Sequence, residues 1–205
     1  MHLISVILLT FVCYCATVTY PREGLLVIPG LGRKDRLETV VNNLNLMSHK
    51  LNSSGWDCVV YVYAPRSQAS TSIWLDGRMK YISSICSVVE NTNKRVTDNL
   101  FMVQPALIQH GYRYVFILLD DCKLLGESSF DIDRILAVME VNKLTLASPL
   151  VEGANIGGGQ KFREIMQTGA VKGTEGYIST FVEYFSLVLT PPAWHAFWEL
   201  VLSSA

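Results

Sequence analysis

One run constrains this chain more than any other: Tyr112-Arg113-Tyr114-Val115-Phe116-Ile117-Leu118-Leu119-Asp120-Asp121. Seven of the eight residues from Tyr112 to Leu119 are aromatic or aliphatic, with Gly111 before them and two carboxylates after. A short, nearly continuous apolar run of this kind predicts a strand covered on both faces, as in a parallel sheet. The two aspartates then fall at the carboxyl end of that strand. In open α/β sheets the ligand crevice lies just outside those ends. Adjacent carboxylates repel each other unless something positive stands between them, and hard divalent cations take oxygen ligands. Two readings stay open from these residues: a metal or polar-substrate site, or a turn in which one aspartate caps the next element.

The remainder of the chain supplies partners for such a strand. Gly24 to Gly30 reads as a first short buried strand stopped by Pro29-Gly30. Asp35 and Glu38 have capping-box spacing, and Leu37, Val40, Val41, Leu44, Met47 and Leu51 recur at helical spacing. Cys58 to Pro65 is a second buried strand, which completes a βαβ unit with a right-handed crossover. Residues 74–90 are read as a helix. Residues 96–110 are read as another, kinked or restarted at Pro105. After the acidic pair, Ser128 and Asp131 can cap a helix with Ile132, Ile135, Leu136 and Met139 on its core face. Leu144 to Pro149 is the next strand. Thr190-Pro191-Pro192 opens a last helix whose Trp194, Phe197, Trp198 and Val201 form a core stripe. The fold class expected is α/β, with a mostly parallel sheet flanked by helices.

With 205 residues, half of them hydrophobic, the chain suits one domain. A net charge of −1 leaves no basic footprint, which argues against nucleic acid as a partner. Residues 1–21 contain no Lys, Arg, Asp or Glu, and residues 3–18 are almost entirely apolar. This leader fits a secretory signal or a signal-anchor over residues 1–20, followed by a single domain over 21–205. A buried strand is the alternative. Cys58, Cys86 and Cys122 lie beyond the leader, enough for one bridge and one thiol. Asn52-Ser53-Ser54 is a glycosylation sequon, meaningful if the chain enters the secretory pathway.

Three further segments invite chemistry. Pro29, Gly30, Gly32 and Arg33 belong to a loop between the first strand and the first helix. There glycines let backbone amides approach a phosphate, and Arg33 and Lys34 add charge. An ordinary βα loop is the competing reading. The glycine-rich stretch 152–172 is a plain surface loop or a ligand wrap. Glu183 stands in the run Phe181-Val182-Glu183-Tyr184-Phe185. A carboxylate among aromatics is either paired with a cation or perturbed toward general-base work.

Several of these pieces occur in a recognisable order. Tyr112-x-Tyr114-x-Phe116, then Asp120-Asp121, a helix, Leu146-x-Ser148-Pro149, and later Thr180-Phe181-Val182-Glu183 with Ala193-Trp194 and Trp198, resemble a eukaryotic, plant-type family of unknown function. That family looks like divergent glycosyltransferases of the GT-A type, and the resemblance covers about residues 100–202. It implies a nucleotide-sugar fold in which Asp120 and Asp121 hold Mn²⁺ or Mg²⁺ against the donor diphosphate, with Glu183 as base. It also implies a glycan or protein acceptor, and the apolar leader adds the expectation of a place in the secretory pathway: Golgi or ER lumen, type II anchored through residues 3–18, or secreted. The chain departs from the family where Leu119 replaces the first Asp of an Asp-x-Asp motif. The family also continues past the tryptophan helix, so a C-terminally truncated chain is one reading. The alternative function is a non-catalytic carbohydrate-binding or interaction module of the same fold.

Overall fold

The computed structural model describes residues 20–53, 55–63, 73–92, 95–124, 130–149 and 186–203. Among the described residues, six strands form one sheet: β1 (Arg22–Leu31), β2 (Trp56–Val62), β3 (Ser87–Glu90), β4 (Tyr112–Leu118), β5 (Leu146–Ala147) and β6 (Ser186–Leu189). Their order across the sheet is β3-β2-β1-β4-β6-β5. The β1–β2, β1–β4 and β2–β3 pairs are parallel, whereas β6 runs antiparallel to both β4 and β5. The sheet is therefore mostly parallel, with β6 reversed inside it.

Helices cover both faces, and the strand residues alternate accordingly. On one face, Leu26 and Ile28 of β1 and Phe116 and Leu118 of β4 pack with Leu37, Val40 and Leu44 of α1 (Leu37–Leu46). The same layer takes Met79 and Ile82 of α3 (Gly77–Ile85), and Ile132, Leu136 and Met139 of α6 (Ile132–Val141). A short α2 (Ser48–Asn52) links α1 to β2. On the other face, Leu25, Val27, Val115 and Ile117 meet Leu100 of α4 (Val96–Phe101) and Ile108 of α5 (Pro105–Gly111). Trp194 of α7 (Pro191–Phe197) completes that layer, and a single π turn, Trp198–Leu202, follows it. Successive side chains of a strand point to opposite faces, so two covered faces require an unbroken apolar run. That is why β1 and β4 read as continuous apolar segments. Phe116 is fully buried at the centre, and truncating such a ring typically costs about 3–5 kcal/mol.

Several boundaries differ from the sequence expectation. Pro29-Gly30 does not stop β1. The register passes from Ile28 opposite Val60 to Leu31 opposite Val62, so β1 holds one more residue than β2 there. This is a β-bulge, which tolerates a proline because the extra residue leaves the ladder. Residues 74–90 are not one helix. α3 ends at Ile85, and Ser87–Glu90 pairs with β2 as a parallel edge strand. Cys86, bonded to Cys58, draws that segment onto the sheet, and Val88 and Val89 suit it. Residues 96–110 form two helices, and Pro105 opens the second. Asp131 caps α6, accepting the Arg134 N–H at 3.1 Å. Thr190 stands at the N-cap of α7 but its side chain makes no capping bond, since its hydroxyl donates to the Thr145 carbonyl instead. Asp35 likewise caps nothing: Lys34–Arg36 is a 3₁₀ turn, and Arg33 holds the Asp35 carboxylate.

Candidate functional site

β1 and β4 are parallel neighbours, so the segments after Leu31 and after Leu118 emerge side by side at one edge of the sheet. Asp120 and Asp121 form a turn two residues beyond β4. Facing them is the loop from Gly32 into α1. Arg36, just before α1, brings its guanidinium to 3.9 Å from an Asp121 carboxylate oxygen. Sequence reasoning missed Arg36, because it weighed only Arg33 and Lys34.

The electrostatics of the pair follow from their surroundings. Asp120 is partly withdrawn from water, and its pKa is pushed up to about 6, first by burial and then by the charge of Asp121. Arg36 opposes this rise without cancelling it, and Asp35 adds to it. The turn therefore carries a carboxyl group that holds its proton well above the ordinary carboxylate range, next to a second carboxylate. Cys122 follows directly. It is a free thiol, pushed up to about 12 by burial and by both aspartates.

Arg33 is engaged locally. Its Nε and Nη2 donate to the Asp35 carboxylate at 3.0 and 2.6 Å, on an exposed surface. That pairing holds Asp35 below the usual carboxylate range. Lys34 lies 3.6 Å from Asp76, which also takes two bonds from the Arg78 guanidinium. The loop is thus basic but laced with acids, and Gly32 and Arg33 lie just past the end of β1. Pro29 and Gly30 lie within the strand, at the bulge. The Pro29 carbonyl accepts from the Asn99 amide at 2.7 Å and from the Tyr63 hydroxyl at 3.4 Å. Asn91 in turn donates to the Asn99 side-chain carbonyl. A Cβ on Gly30 would come within 2.4–2.6 Å of the Tyr63 ring, so glycine is what lets tyrosine lie on the bulge. The structure brings the acidic pair and the Gly32–Arg36 loop to one edge. Glu183, residues 152–172 and residues 3–18 lie outside the described residues.

Asn43 and Asn99 were also missed in the sequence. Both are buried, at 1% and 0% exposure. Each is a polar residue within an apolar helical stripe, Asn43 between Val40 and Leu44, and Asn99 between Val96 and Leu100. That placement was a usable signal, since a buried amide normally has specific partners.

A cleft of about 610 Å³ opens elsewhere, lined by Arg22, Trp56, Asp57 and Tyr112 at the amino ends of the strands. Within it the Tyr112 hydroxyl donates to Asp57 at 2.8 Å. It lies at the opposite end of the sheet from Asp120. The edge bearing the acidic pair is the one that the topology marks for ligands.

Oxygen donors alone, two in number and flanked by cationic loop residues, match what Mg²⁺ or Mn²⁺ accepts. Such ions use one or two carboxylates and complete their shell with water and phosphate oxygens. Asp120 holds its proton chiefly because it is buried and secondarily because Asp121 lies beside it, and a cation there would relieve the second of these. The donor set therefore fits the metal. Among the described residues no cluster of three or more His, Cys, Asp or Glu is present.

Comparison with known protein families matches none, and comparison with curated proteins matches none, so the plant-type kinship is without a match. Among solved structures, the chain is similar to a putative nucleotide-diphospho-sugar transferase from Desulfovibrio desulfuricans. The identity there is 10% and the TM-score 0.37, over 62% of this chain and 58% of that one. It is also similar to a cytidylyltransferase from Leptospira borgpetersenii, with 11% identity and a TM-score of 0.44, over 89% of this chain and 65% of that one. Core-mannan synthase A from Aspergillus fumigatus, solved in a Mn/GDP form, is similar at 10% identity and a TM-score of 0.36, over 89% of this chain and 64% of that one. The chain spans roughly three fifths of the length of these neighbours. The sheet described above is mostly parallel and flanked by helices.

Proposed function

We propose that this chain is a glycosyltransferase-like protein that binds a nucleoside diphosphate sugar through a divalent metal at the carboxyl edge of its sheet. The observation that carries this reading is the Asp120-Asp121 turn. It holds a carboxyl group with a pKa near 6 beside a second carboxylate, at the end of a buried parallel strand. Such a pair is costly to maintain unless a cation occupies it in use. Asp120 and Asp121 would hold Mn²⁺ or Mg²⁺. Bound there, the metal would neutralise diphosphate charge as the nucleotide departs. The amides from Gly32 to Lys34 and the Arg36 guanidinium stand on the same edge and supply the donors a diphosphate takes. Glu183 is proposed as the base for the acceptor hydroxyl, on the motif resemblance alone. The acceptor is proposed to be a glycan or a protein.

The Cys58–Cys86 disulfide supports a secretory-pathway location, because such bonds persist in oxidising compartments. The uncharged leader points the same way, as a cleaved signal or as a membrane anchor through residues 3–18.

Isothermal titration with Mn²⁺, UDP and GDP tests the reading. Wild type should bind metal and nucleotide with mutual enhancement, and Asp121→Asn should abolish the enhancement while the fold persists. Identical titrations for wild type and variant would sink it. Enhancement without sugar transfer to any acceptor would instead establish the binding module.

A further inference from the structure

We propose that Asn43 is the positioning residue of the acidic turn: its buried side-chain amide clamps the segment after β4 to helix α1, and so fixes Asp120 and Asp121 against the loop that carries Arg36. This inference rests on the functional reading above for the meaning of the site, though not for the clamp.

The Asn43 Nδ2 donates to the Cys122 carbonyl at 2.7 Å, and its Oδ1 accepts the Leu124 N–H at 2.8 Å. These groups lie one and three residues after Asp121. The turn is also closed from within, the Cys122 N–H donating to the Leu119 carbonyl at 3.1 Å. Asp120 and Asp121 are thus held between an internal turn bond and an external clamp. The amide of Asn43 offers its donor and its acceptor on two separate atoms, Nδ2 and Oδ1, whereas aspartate at neutral pH lacks the donor and leucine lacks both. Asn43 is 1% exposed, and Val40 and Leu44 beside it are fully buried, so the clamp is mounted on a helix locked to the sheet. Arg36, immediately before that helix, reaches Asp121. One rigid element therefore sets both the cation facing the acidic pair and the backbone that presents the pair. A site that binds metal needs its ligands oriented by such supports.

A purely packing role would predict nothing local. The test uses the whole chain with Asn43→Leu and Asn43→Asp, and Val40→Ala as a control that weakens the same helix without touching the turn. Three readouts are taken: alkylation of Cys122 followed by peptide mass, amide exchange of Leu124, and Mn²⁺-dependent GDP binding. Asn43→Leu should raise Cys122 alkylation and Leu124 exchange above the Val40→Ala level and weaken Mn²⁺-dependent GDP binding by about tenfold or more, as losses of ligand-orienting groups do. Asn43→Asp, which keeps the acceptor, should fall between. If Cys122 and Leu124 behave in Asn43→Leu as in Val40→Ala, the clamp is overturned. If the turn opens yet GDP binding is unchanged, its positioning role is overturned. If wild type itself binds no Mn²⁺ with GDP, the functional reading fails, while exchange and alkylation still decide the clamp.

Discussion

Replacing Asp120 by asparagine should make the fold more stable at neutral pH while removing its capacity for metal. The magnitude follows from the position of the group. Burial and the neighbouring Asp121 raise the Asp120 carboxyl from 3.8 to about 6. Each unit is worth about 1.4 kcal/mol, so the shift corresponds to about 3 kcal/mol at most, and water reaching the turn lowers this toward about 1. The sign is set by linkage. The folded pKa lies above the unfolded one, so the native state holds this proton more tightly. Stability then falls as pH rises from about 4 to about 6 and is flat beyond. Asparagine mimics the protonated form at every pH. Asp120→Asn and wild type should therefore unfold alike near pH 4 and diverge by about 1–3 kcal/mol above pH 6, with the variant the more stable. In a chain of this length that is roughly a 3–10 °C rise in Tm. Urea titrations at the two pH values, with and without Mn²⁺, provide the assay. Mn²⁺ should raise the midpoint of wild type and leave the variant unmoved. A variant less stable than wild type at neutral pH would refute the reasoning, since Asp120 would then be a satisfied cap rather than an uncompensated acid.

Four further outcomes are expected. Apparent Mn²⁺ affinity, followed by titration calorimetry, should fall about tenfold per pH unit below about pH 6 and level off above it, because the metal displaces the Asp120 proton. Cys58→Ser with Cys86→Ser should lower the urea-derived stability by about 3.5 kcal/mol, the loop entropy for cysteines 28 residues apart. Gly30→Ala should cost about 1–3 kcal/mol by pushing the Tyr63 ring off the bulge, read as a fall in Tm. Asn99→Ala should cost a similar amount, about 1–3 kcal/mol, by leaving the Asn91 amide without its acceptor and the Pro29 carbonyl without its shorter bond; denaturant midpoints check it.

What could be read from the sequence was whatever depends on periodicity. β4 and its terminal acids, the apolar stripe of α1, and the cap at Asp131 are local patterns with local physical causes. The same reasoning failed where a distant partner decides the conformation. Ser87–Glu90 continues a helical pattern until the bond from Cys86 to Cys58 and the open edge of β2 turn it into a strand. Pro29-Gly30 has the chemistry of a chain reversal, yet pairing with β2 on both sides of the bulge, at Ile28 and again at Leu31, carries the strand through it. The reversed β6 has no sequence signature either. Its four buried residues look like any buried strand, and only the pairing fixes its direction.

The site was half legible for a related reason. Charged residues in loops announce themselves, so Asp120, Asp121 and Arg33 drew notice. The groups that tie the neighbouring backbone are neutral amides inside helices, and they look like lapses in an apolar stripe. Asn43 and Asn99 sit on opposite faces of the sheet. Each reaches out of its helix to the backbone at a carboxyl strand end, one holding the acidic turn and the other the Pro29 bulge. A buried amide is retained only where its bonds offset its desolvation. Here both sets of bonds end on the two segments that line the same edge. The helices thus do more than cover the sheet, since α1 is tied to the turn after β4 and α4 to the Pro29 bulge. A lapse in a core stripe here marks a side chain that ties its helix to backbone near a carboxyl strand end.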